Sequence, residues 1–215
     1  MKEVLQQAQA LLFDFDGVIG KTMNDNHLAW KAVMARQGIS FDAQAYYRLE
    51  GLRPKDVAQR LTGLQDEETL LEMGKEKDRE FLRIHQPALY PEVIPLLQRL
   101  RQAGKRLALV TGGSRSRVGV LLAAQGLQNQ FDFVVTADDC PRPKPFGDPY
   151  EIALQGLGIT REQGLVIENA PLGIASAKAA GIACVALCTT LQPADLQEAD
   201  WILPHHQALI EFLFP

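Results

Sequence analysis

The sequence has few cysteines and no long hydrophobic run. Its three cysteines, Cys140, Cys184 and Cys188, form no CxxC pair and have no histidine at a metal-ligand spacing, which disfavours both a disulfide-stapled fold and a zinc site. No apolar stretch approaches the roughly 20 residues that span a bilayer. The opening residues MKEVLQQAQA also lack the apolar centre of a signal peptide. We therefore expect a cytoplasmic protein that has no membrane partner.

An excess of positive charge is missing as well. The formal net charge is −4 over 215 residues, so the composition does not favour a nucleic-acid partner. Hydrophobic residues make up 47% of the chain, which is enough to build a packed core. We expect a monomer whose ligand is a small molecule bound by local groups.

Short apolar runs are the most regular feature of the sequence. They lie at residues 10–15, 106–111, 131–136, 164–168 and 183–187. Each is typical of a strand that is buried on both faces. Helical patterns that end in glycine stand between the later runs, and such alternation predicts right-handed crossovers. The predicted fold class is therefore α/β, with a parallel-sheet, Rossmann-like core.

One segment breaks this alternation. Residues 22–90 contain helical patterns and no strand pattern, and a loop of that length is uncommon inside a compact domain. We interpret the segment as a helical cap domain inserted into a core that consists of residues 1–21 and 91–215. Ligands of open α/β sheets bind at the carboxyl ends of the strands. A cap that leaves the core just after the first strand should therefore cover the ligand site.

Two carboxylates follow the first apolar run. Asp14 and Asp16 flank Phe15, and side chains two residues apart on an extended chain point the same way. Two like charges that face one spot need a cation or a proton between them. The pattern therefore predicts a hard divalent cation with oxygen ligands, Mg²⁺, although a pair of aspartates can also simply cap the end of a strand.

Three further motifs fall at the ends of later strands. Thr111 and Gly112 precede a helix start and suit phosphate oxygens. Lys144 stands between two prolines, which restrict the backbone and so aim its ammonium group. Glu168 and Asn169 end a strand with two oxygen donors for a cation. Each motif alone also fits an ordinary turn or a solvated surface residue, but together they predict one site at the carboxyl edge of the sheet.

The order of these motifs carries a family resemblance. Asp-x-Asp, Thr, Lys and an acidic pair resemble the motifs of the haloacid dehalogenase (HAD) superfamily of phosphohydrolases, and the resemblance covers essentially the whole chain. The segments FDFDGVIGKT, HLAWKAV, GLRPKD and VIENAPLGIASAKAAG are similar to the branch that contains β-phosphoglucomutase and small-metabolite phosphatases. The resemblance implies a HAD-like core with a helical cap, and an enzyme that hydrolyses phosphoric monoesters.

The resemblance also implies a role for each residue. Asp14 would be the nucleophile that forms an aspartyl phosphate, and Asp16 would be the general acid and base. Mg²⁺ would be held by Asp14, the backbone carbonyl of Asp16 and the last motif, with Asn169 and Glu168 as its members. The phosphoryl oxygens would be bound by Thr111, Gly112 and Lys144.

The predicted function is Mg²⁺-dependent hydrolysis of a small phosphorylated metabolite, with a sugar phosphate as one candidate. Arg53 and Lys55 lie in GLRPKD, a turn of the predicted cap that contains glycine and proline. Because this turn carries two positive charges, we expect both side chains to face an anionic substrate from the cap.

The sequence departs from the family pattern in two places. The last motif ends in Asn169 where the family usually has aspartate, which predicts weaker Mg²⁺ binding. The mutase branch has a histidine and an arginine where this chain has Asn26 and Pro54, with His27 and Arg53 one residue away. This counts against the first alternative function, a phosphomutase of the β-phosphoglucomutase type. A second alternative, a catalytically weakened protein that binds phosphorylated metabolites, rests on Asn169.

Overall fold

The fold is built on a parallel sheet. A computed structural model describes residues 7–86 and 88–214. The strands of these residues are β1 (Ala10–Phe13), β2 (Arg106–Val110), β3 (Phe133–Val135), β4 (Gly164–Glu168), β5 (Ala183–Leu187) and β6 (Trp201–Leu203). They run parallel in the spatial order β3–β2–β1–β4–β5–β6. The α/β fold class predicted from the sequence is confirmed.

Strand β1 lies in the middle of the sheet. All four of its residues are buried, because β2 and β4 flank the strand in the sheet and hydrophobic clusters cover both of its faces. Burial on both faces explains its continuous apolar run. The polar residues that follow β1, β2 and β4 therefore emerge at the same edge of the sheet.

The segment 22–90 is hereafter the helical insert, and its described residues are folded mainly into helices. These are α1 (Met23–Ala35), α2 (Ala43–Tyr47), α3 (Pro54–Thr62) and α4 (Glu67–Ile84). They share a hydrophobic cluster that includes Trp30, Val57 and Met73. Helix α3 packs closely against α4 at Gly74, where a Cβ atom would stand 3.0 Å from the Cβ of Pro54. This separate cluster supports our proposal that the helical insert is a domain of its own.

The remaining described helices cover both faces of the sheet. They are α5 (Val93–Gln102), α6 (Arg115–Ala124), α7 (Asp148–Leu157), α8 (Pro171–Ala179) and α9 (His206–Leu213). Leu11 and Phe13 belong to the hydrophobic cluster on one face, whereas Ala10 and Leu12 belong to the cluster on the other, as the alternation of a strand requires. None of the described helices is both long enough and apolar enough to cross a membrane.

Three short elements were not predicted from the sequence. They are β6, α2 and α9, which contain three, five and eight residues respectively. Elements this short contain too few residues to establish a hydrophobic period, and the residues of β6 are only partly buried at the edge of the sheet. Helix α2 matters for the site described below, because it carries Tyr46.

Candidate active site

Asp14 follows β1 and is held by residues of the core. Its backbone N–H donates to the carbonyl oxygen of Ile167 at 3.0 Å. The Lys144 Nζ atom donates to Asp14 Oδ1 at 2.8 Å, to the Val110 carbonyl at 3.1 Å and to Glu168 Oε1 at 2.6 Å. These contacts use all three donors of the ammonium group. Lys144 therefore ties together the carboxyl ends of β1, β2 and β4.

The charge on Asp14 is costly in this position. Burial raises the pKa of Asp14 to about 8; Lys144 opposes this shift, whereas the charges of Glu168 and Asp16 add to it. Burial lowers the pKa of Lys144, but Asp14 and Glu168 outweigh this effect and hold that pKa above its usual range. Further positive charge near Asp14 would favour its ionised form, which is the form that a nucleophile needs.

Asp16 stands in the opposite environment. Arg117 donates to both of its carboxylate oxygens, at 3.1 Å and 2.7 Å. Thr22 Oγ1 and Asn26 Nδ2 donate to Asp16 Oδ1 at 2.5 Å and 2.9 Å. Burial raises the pKa of Asp16, but the charge and hydrogen bonds of Arg117 outweigh it, so that this pKa lies well below its usual range. Asp16 is therefore held in its ionised form.

The turn after Asp16 makes room for Asn169. Gly17 has a φ of 86°, a left-handed conformation that favours glycine, and a Cβ atom on it would collide with the Asn169 amide. Asn169 is 1% exposed, yet its Oδ1 and Nδ2 atoms find no hydrogen-bond partner among the described residues. An unpaired buried polar group costs about 1–3 kcal/mol. The Asn169 side chain therefore fits a ligand that the protein atoms do not supply.

Glu168, which was predicted as a second metal ligand from the last motif, is engaged elsewhere. Its Oε1 accepts hydrogen bonds from Lys144 at 2.6 Å and from the Tyr150 hydroxyl at 2.8 Å. Its Oε2 accepts from the backbone N–H of Asn169 at 3.0 Å. The Glu168 carboxylate thus anchors Lys144 with oxygens that already accept hydrogen bonds, and a contact of Glu168 with a cation stays a prediction.

A divalent cation fits the oxygen donors that remain. Asn169 Oδ1 is unpartnered within the described part of the chain, and carboxylate and amide oxygens such as those of Asp14 and Asn169 suit Mg²⁺. The carboxylate of Asp16 already accepts four hydrogen bonds. Asp16 would therefore contribute its backbone carbonyl, as the family resemblance implies.

The predicted phosphate-binding residues Thr111 and Gly112 follow β2. Thr111 is buried, and its Oγ1 accepts a hydrogen bond from the N–H of Gly113 at 3.1 Å, so its hydroxyl hydrogen remains to be donated. A Cβ atom on Gly112 would collide with the carbonyl oxygen of Gly51 in the helical insert. Glycine is therefore required where the insert meets the core.

Asp14, Asp16 and Gly112 line one cavity between the core and the helical insert. Its volume of about 20 Å³ holds about one water molecule. The wall on the side of the insert includes Asn26, Trp30, Tyr46, Glu50, Val57 and Lys77. A phosphate ester is far larger than a water molecule, so the cavity in this arrangement of insert and core does not hold one.

Arg53 and Lys55, which were predicted to face the substrate, do not line this cavity. The Arg53 Nε atom lies 2.7 Å from an oxygen of Asp56, and Lys55 is paired with Glu67. Both residues line a neighbouring cleft of about 830 Å³ between the insert and the core, which shares Pro54 and Arg117 with the cavity. The structure thus does not bring them to Asp14, and a contact with the substrate stays a prediction.

Two buried cations that the sequence interpretation missed line the cavity instead. Arg117 and Lys77 are 2% and 3% exposed, and Lys77 Nζ donates to Asn26 Oδ1 at 2.6 Å. Arg117 lies in the first turn of α6, where the helix dipole disfavours positive charge; this local conflict is a signal that could have identified it. Lys77 gives no such signal, because it stands in a highly charged helix.

The comparison with known families agrees with these motifs. The family model of haloacid dehalogenase-like hydrolases matches residues 11–187. Because the match spans most of the chain, the protein belongs to the haloacid dehalogenase-like hydrolases.

Two relatives indicate the reaction class. Validoxylamine A 7′-phosphate phosphatase from Streptomyces hygroscopicus subsp. limoneus is 31% identical over 89% of this chain and 91% of its own. Fructose-1-phosphate phosphatase YqaB from Escherichia coli strain K12 is 33% identical over 81% of this chain and 94% of its own. The chain is accordingly an enzyme of the phosphoric monoester hydrolase class within this family.

A solved structure shows the same fold. The β-phosphoglucomutase from Clostridium difficile has a TM-score of 0.82 against this chain, with 96% of this chain and 97% of its own covered at 21% identity. At this identity the similarity establishes the fold alone.

Proposed function

We propose that the protein is a Mg²⁺-dependent phosphatase that acts on a small phosphorylated metabolite through an aspartyl phosphate on Asp14. One observation carries the proposal: the Asp14 carboxylate lines a small cavity with Asp16 and Gly112 and is held there by Lys144. Fructose 1-phosphate, named for one of the relatives, supports a sugar phosphate as the substrate class. The cytoplasmic location and the monomeric state stay predictions.

The two aspartates have different roles in the reaction: Asp14 is the nucleophile and Asp16 transfers protons. In the first half-reaction an Asp14 oxygen attacks phosphorus, the ester P–O bond breaks, and Asp16 gives a proton to the leaving alcohol. In the second, Asp16 takes a proton from water, the water oxygen attacks phosphorus, and inorganic phosphate leaves as Asp14 is restored. The ionised Asp16 described above suits the second step, whereas the first requires a substrate complex in which its contact with Arg117 is weaker.

The other residues would position the phosphoryl group and Asp14 and would neutralise negative charge. The Thr111 hydroxyl and the Gly112 backbone would donate to phosphoryl oxygens. Lys144, whose donors are all engaged, would act through its charge and by orienting Asp14. Bound Mg²⁺, held by Asp14, Asn169 and the backbone carbonyl of Asp16, would supply charge neutralisation at the transferring phosphoryl group.

A phosphate-release assay on a broad panel of phosphorylated metabolites tests this function. The purified protein should release phosphate from at least one compound in the presence of Mg²⁺. The Asp14→Asn variant, purified in the same way, should release none above background, because an amide cannot replace the attacking carboxylate.

Two outcomes would contradict the proposal. A folded protein that binds phosphorylated sugars but releases no phosphate at any Mg²⁺ concentration would favour the metabolite-binding alternative. Conversion of β-glucose 1-phosphate into glucose 6-phosphate with a bisphosphate primer, without stoichiometric release of phosphate, would show a phosphomutase instead.

A further inference from the structure

Glu50 is a buried carboxylate on the insert side of the active-site cavity. It lies between α2 and α3, is 9% exposed and lines the cavity. The Tyr46 hydroxyl donates a hydrogen bond to its Oε1, which fixes the carboxylate in place. No step of the proposed reaction uses Glu50, so its presence in the cavity needs another explanation.

The groups around Glu50 suit the part of a substrate that carries no phosphate. Because the phosphoryl group would lie against Asp14 on the core side, the remainder of the molecule would face the insert. There Trp30, Val57 and the ring of Tyr46 offer apolar surface. Glu50 offers an acceptor, since an ionised carboxylate can only accept hydrogen bonds. A hydroxyl group is the donor that a sugar or polyol supplies.

The positive charges of the same cavity are already engaged. Arg117 donates to both oxygens of Asp16 and lies 3.5 Å from Asp78. The Lys77 Nζ atom lies 3.4 Å from Asp78 Oδ1 and donates a hydrogen bond to the side-chain amide oxygen of Asn26. Among the described residues that line the cavity, both cations therefore have oxygen partners. Arg117 Nε is a buried donor without a hydrogen bond in the described part of the chain, but its guanidinium and the Lys77 ammonium already have carboxylate partners. A second anionic group placed beside Glu50 would therefore meet a like charge and would have to compete with Asp16 and Asp78 for these two cations.

We propose that Glu50 determines specificity by accepting a hydrogen bond from a hydroxyl of the leaving group and by excluding substrates that carry a second phosphate or carboxylate. The proposal rests on the proposed phosphatase function and narrows its substrates to phosphate esters of uncharged sugars and polyols. The same carboxylate opposes phosphomutase activity, because a bisphosphate primer would bring a second phosphate into the cavity.

Matched pairs of phosphate esters test the proposal. Fructose 1-phosphate and fructose 1,6-bisphosphate differ by one phosphate, and glycerol 2-phosphate and 2-phosphoglycerate differ by one carboxylate. We would measure kcat and KM for each ester at one Mg²⁺ concentration and at about pH 8, above the pKa of about 7 to which burial raises the Glu50 carboxyl group. The variants are Glu50→Gln, Glu50→Lys and Tyr46→Phe, with Glu68→Gln as the control because Glu68 is an exposed acid of α4.

The wild type should prefer the ester with one anionic group. Glu50→Gln should reduce this preference about tenfold, mainly through a lower KM for the doubly anionic ester, and Glu50→Lys should reverse it. Tyr46→Phe should give a smaller reduction, because it frees Glu50 without removing its charge. The Glu68→Gln control should keep the preference of the wild type.

Failure of this proposal is distinguishable from failure of the phosphatase function. An unchanged preference in folded, active Glu50→Gln would overturn the role of Glu50 and leave the phosphatase in place. If no ester is hydrolysed, the phosphatase function fails, and calorimetric titration with the same esters still measures the preference. The affinity of Glu50→Gln for the doubly anionic ester, divided by its affinity for the singly anionic ester of the same pair, should then be about tenfold higher than in the wild type. An equal affinity ratio in the wild type and in Glu50→Gln would again overturn the role of Glu50.

Discussion

The two carboxylates of the site stand two residues apart, yet the regions around them are built differently. Asp14 is held by Lys144, which follows β3 and is anchored at the ends of the central strands. Asp16 receives hydrogen bonds from Thr22 and Asn26 at the start of the insert, in addition to those of Arg117. The core thus fixes the environment of Asp14, whereas the helical insert takes part in that of Asp16.

One short loop can therefore supply two kinds of carboxyl group. The proposed nucleophile keeps a fixed position, because its anchor is part of the sheet. The proposed proton carrier is linked to groups that move when the insert moves, so its proton affinity can change during the cycle. Substitutions at these residues and their partners test the contrast between the environments of Asp14 and Asp16.

Removal of the Asp16 carboxylate should slow turnover strongly without stopping phosphorylation of Asp14. We expect Asp16→Asn to lower kcat by about 10²–10⁴-fold, the usual contribution of general acid–base catalysis. Steady-state phosphate release measures the loss, and rapid quenching of the reaction measures the phosphorylated protein. An undiminished steady-state rate would remove Asp16 from the proton transfer, and Asp14→Asn sets the background of both assays.

Removal of Lys144 should destabilise the core more than removal of a surface lysine. Lys144→Met leaves the Asp14 and Glu168 carboxylates buried without their cation, which should lower the free energy of unfolding by about 3–5 kcal/mol. Lys178 pairs with Asp200 at the surface and is 41% exposed, so Lys178→Met should cost about 1 kcal/mol or less. Urea unfolding compares the two, and equal losses would contradict the anchoring role of Lys144.

The two aspartates should also differ in how they link stability to pH. Burial holds the pKa of Asp14 at about 8 in the folded state, against about 3.8 for an aspartate exposed to water. Between these values the folded chain binds more protons than the unfolded chain, so the contribution of Asp14 to stability falls as pH rises. Relative to the wild type, Asp14→Asn should therefore become more stable from about pH 5 to pH 8 in EDTA.

Asp16 is the internal reference for that experiment. Its pKa is lowered in the folded state, so its contribution to stability is present above the unfolded value and is lost only at lower pH. Asp16→Asn should accordingly keep a pH slope of the same sign as the wild type in this window, somewhat smaller because the charge of Asp16 helps to raise the pKa of Asp14. A slope for Asp14→Asn equal to that of the wild type would contradict a raised pKa of Asp14 in the folded state.

Asn169 should have the smallest effect of the set. If its Oδ1 is a ligand, Asn169→Asp adds a negative charge and should lower the Mg²⁺ concentration for half-saturation about tenfold, which equals about 1.4 kcal/mol. Asn169→Ala should raise that concentration. Calorimetric titration with Mg²⁺ measures binding independently of turnover, and Asn129→Asp, at an exposed position, is the control. Superimposable titrations would remove Asn169 from the metal site.

The sequence predicted the features that arise from burial on both faces of a sheet. The apolar run of β1 and the positions of Asp14, Lys144 and Asn169 after strands were sufficient to bring these side chains to one edge. The directions of Arg53 and Lys55 were not predictable, because they depend on ion pairs with acidic residues elsewhere in the insert.

Lys77 and Glu50 were missed for a related reason. Both are charged residues in polar segments, and a solvated surface position is the ordinary interpretation of such residues. Their burial arises only where the insert meets the core around the cavity. Sequence periodicity describes how one element packs, and it contains no information about a contact between two domains.

The size of the closed cavity has a consequence for affinity. With room for about one water molecule, the closed form cannot take part in the first encounter with a substrate. The apparent dissociation constant is then the intrinsic one divided by the fraction of molecules that are open. Contacts that join the insert to the core, such as Arg48 with Asp195 at 3.0 Å, stabilise the closed form and weaken substrate capture by the same free energy.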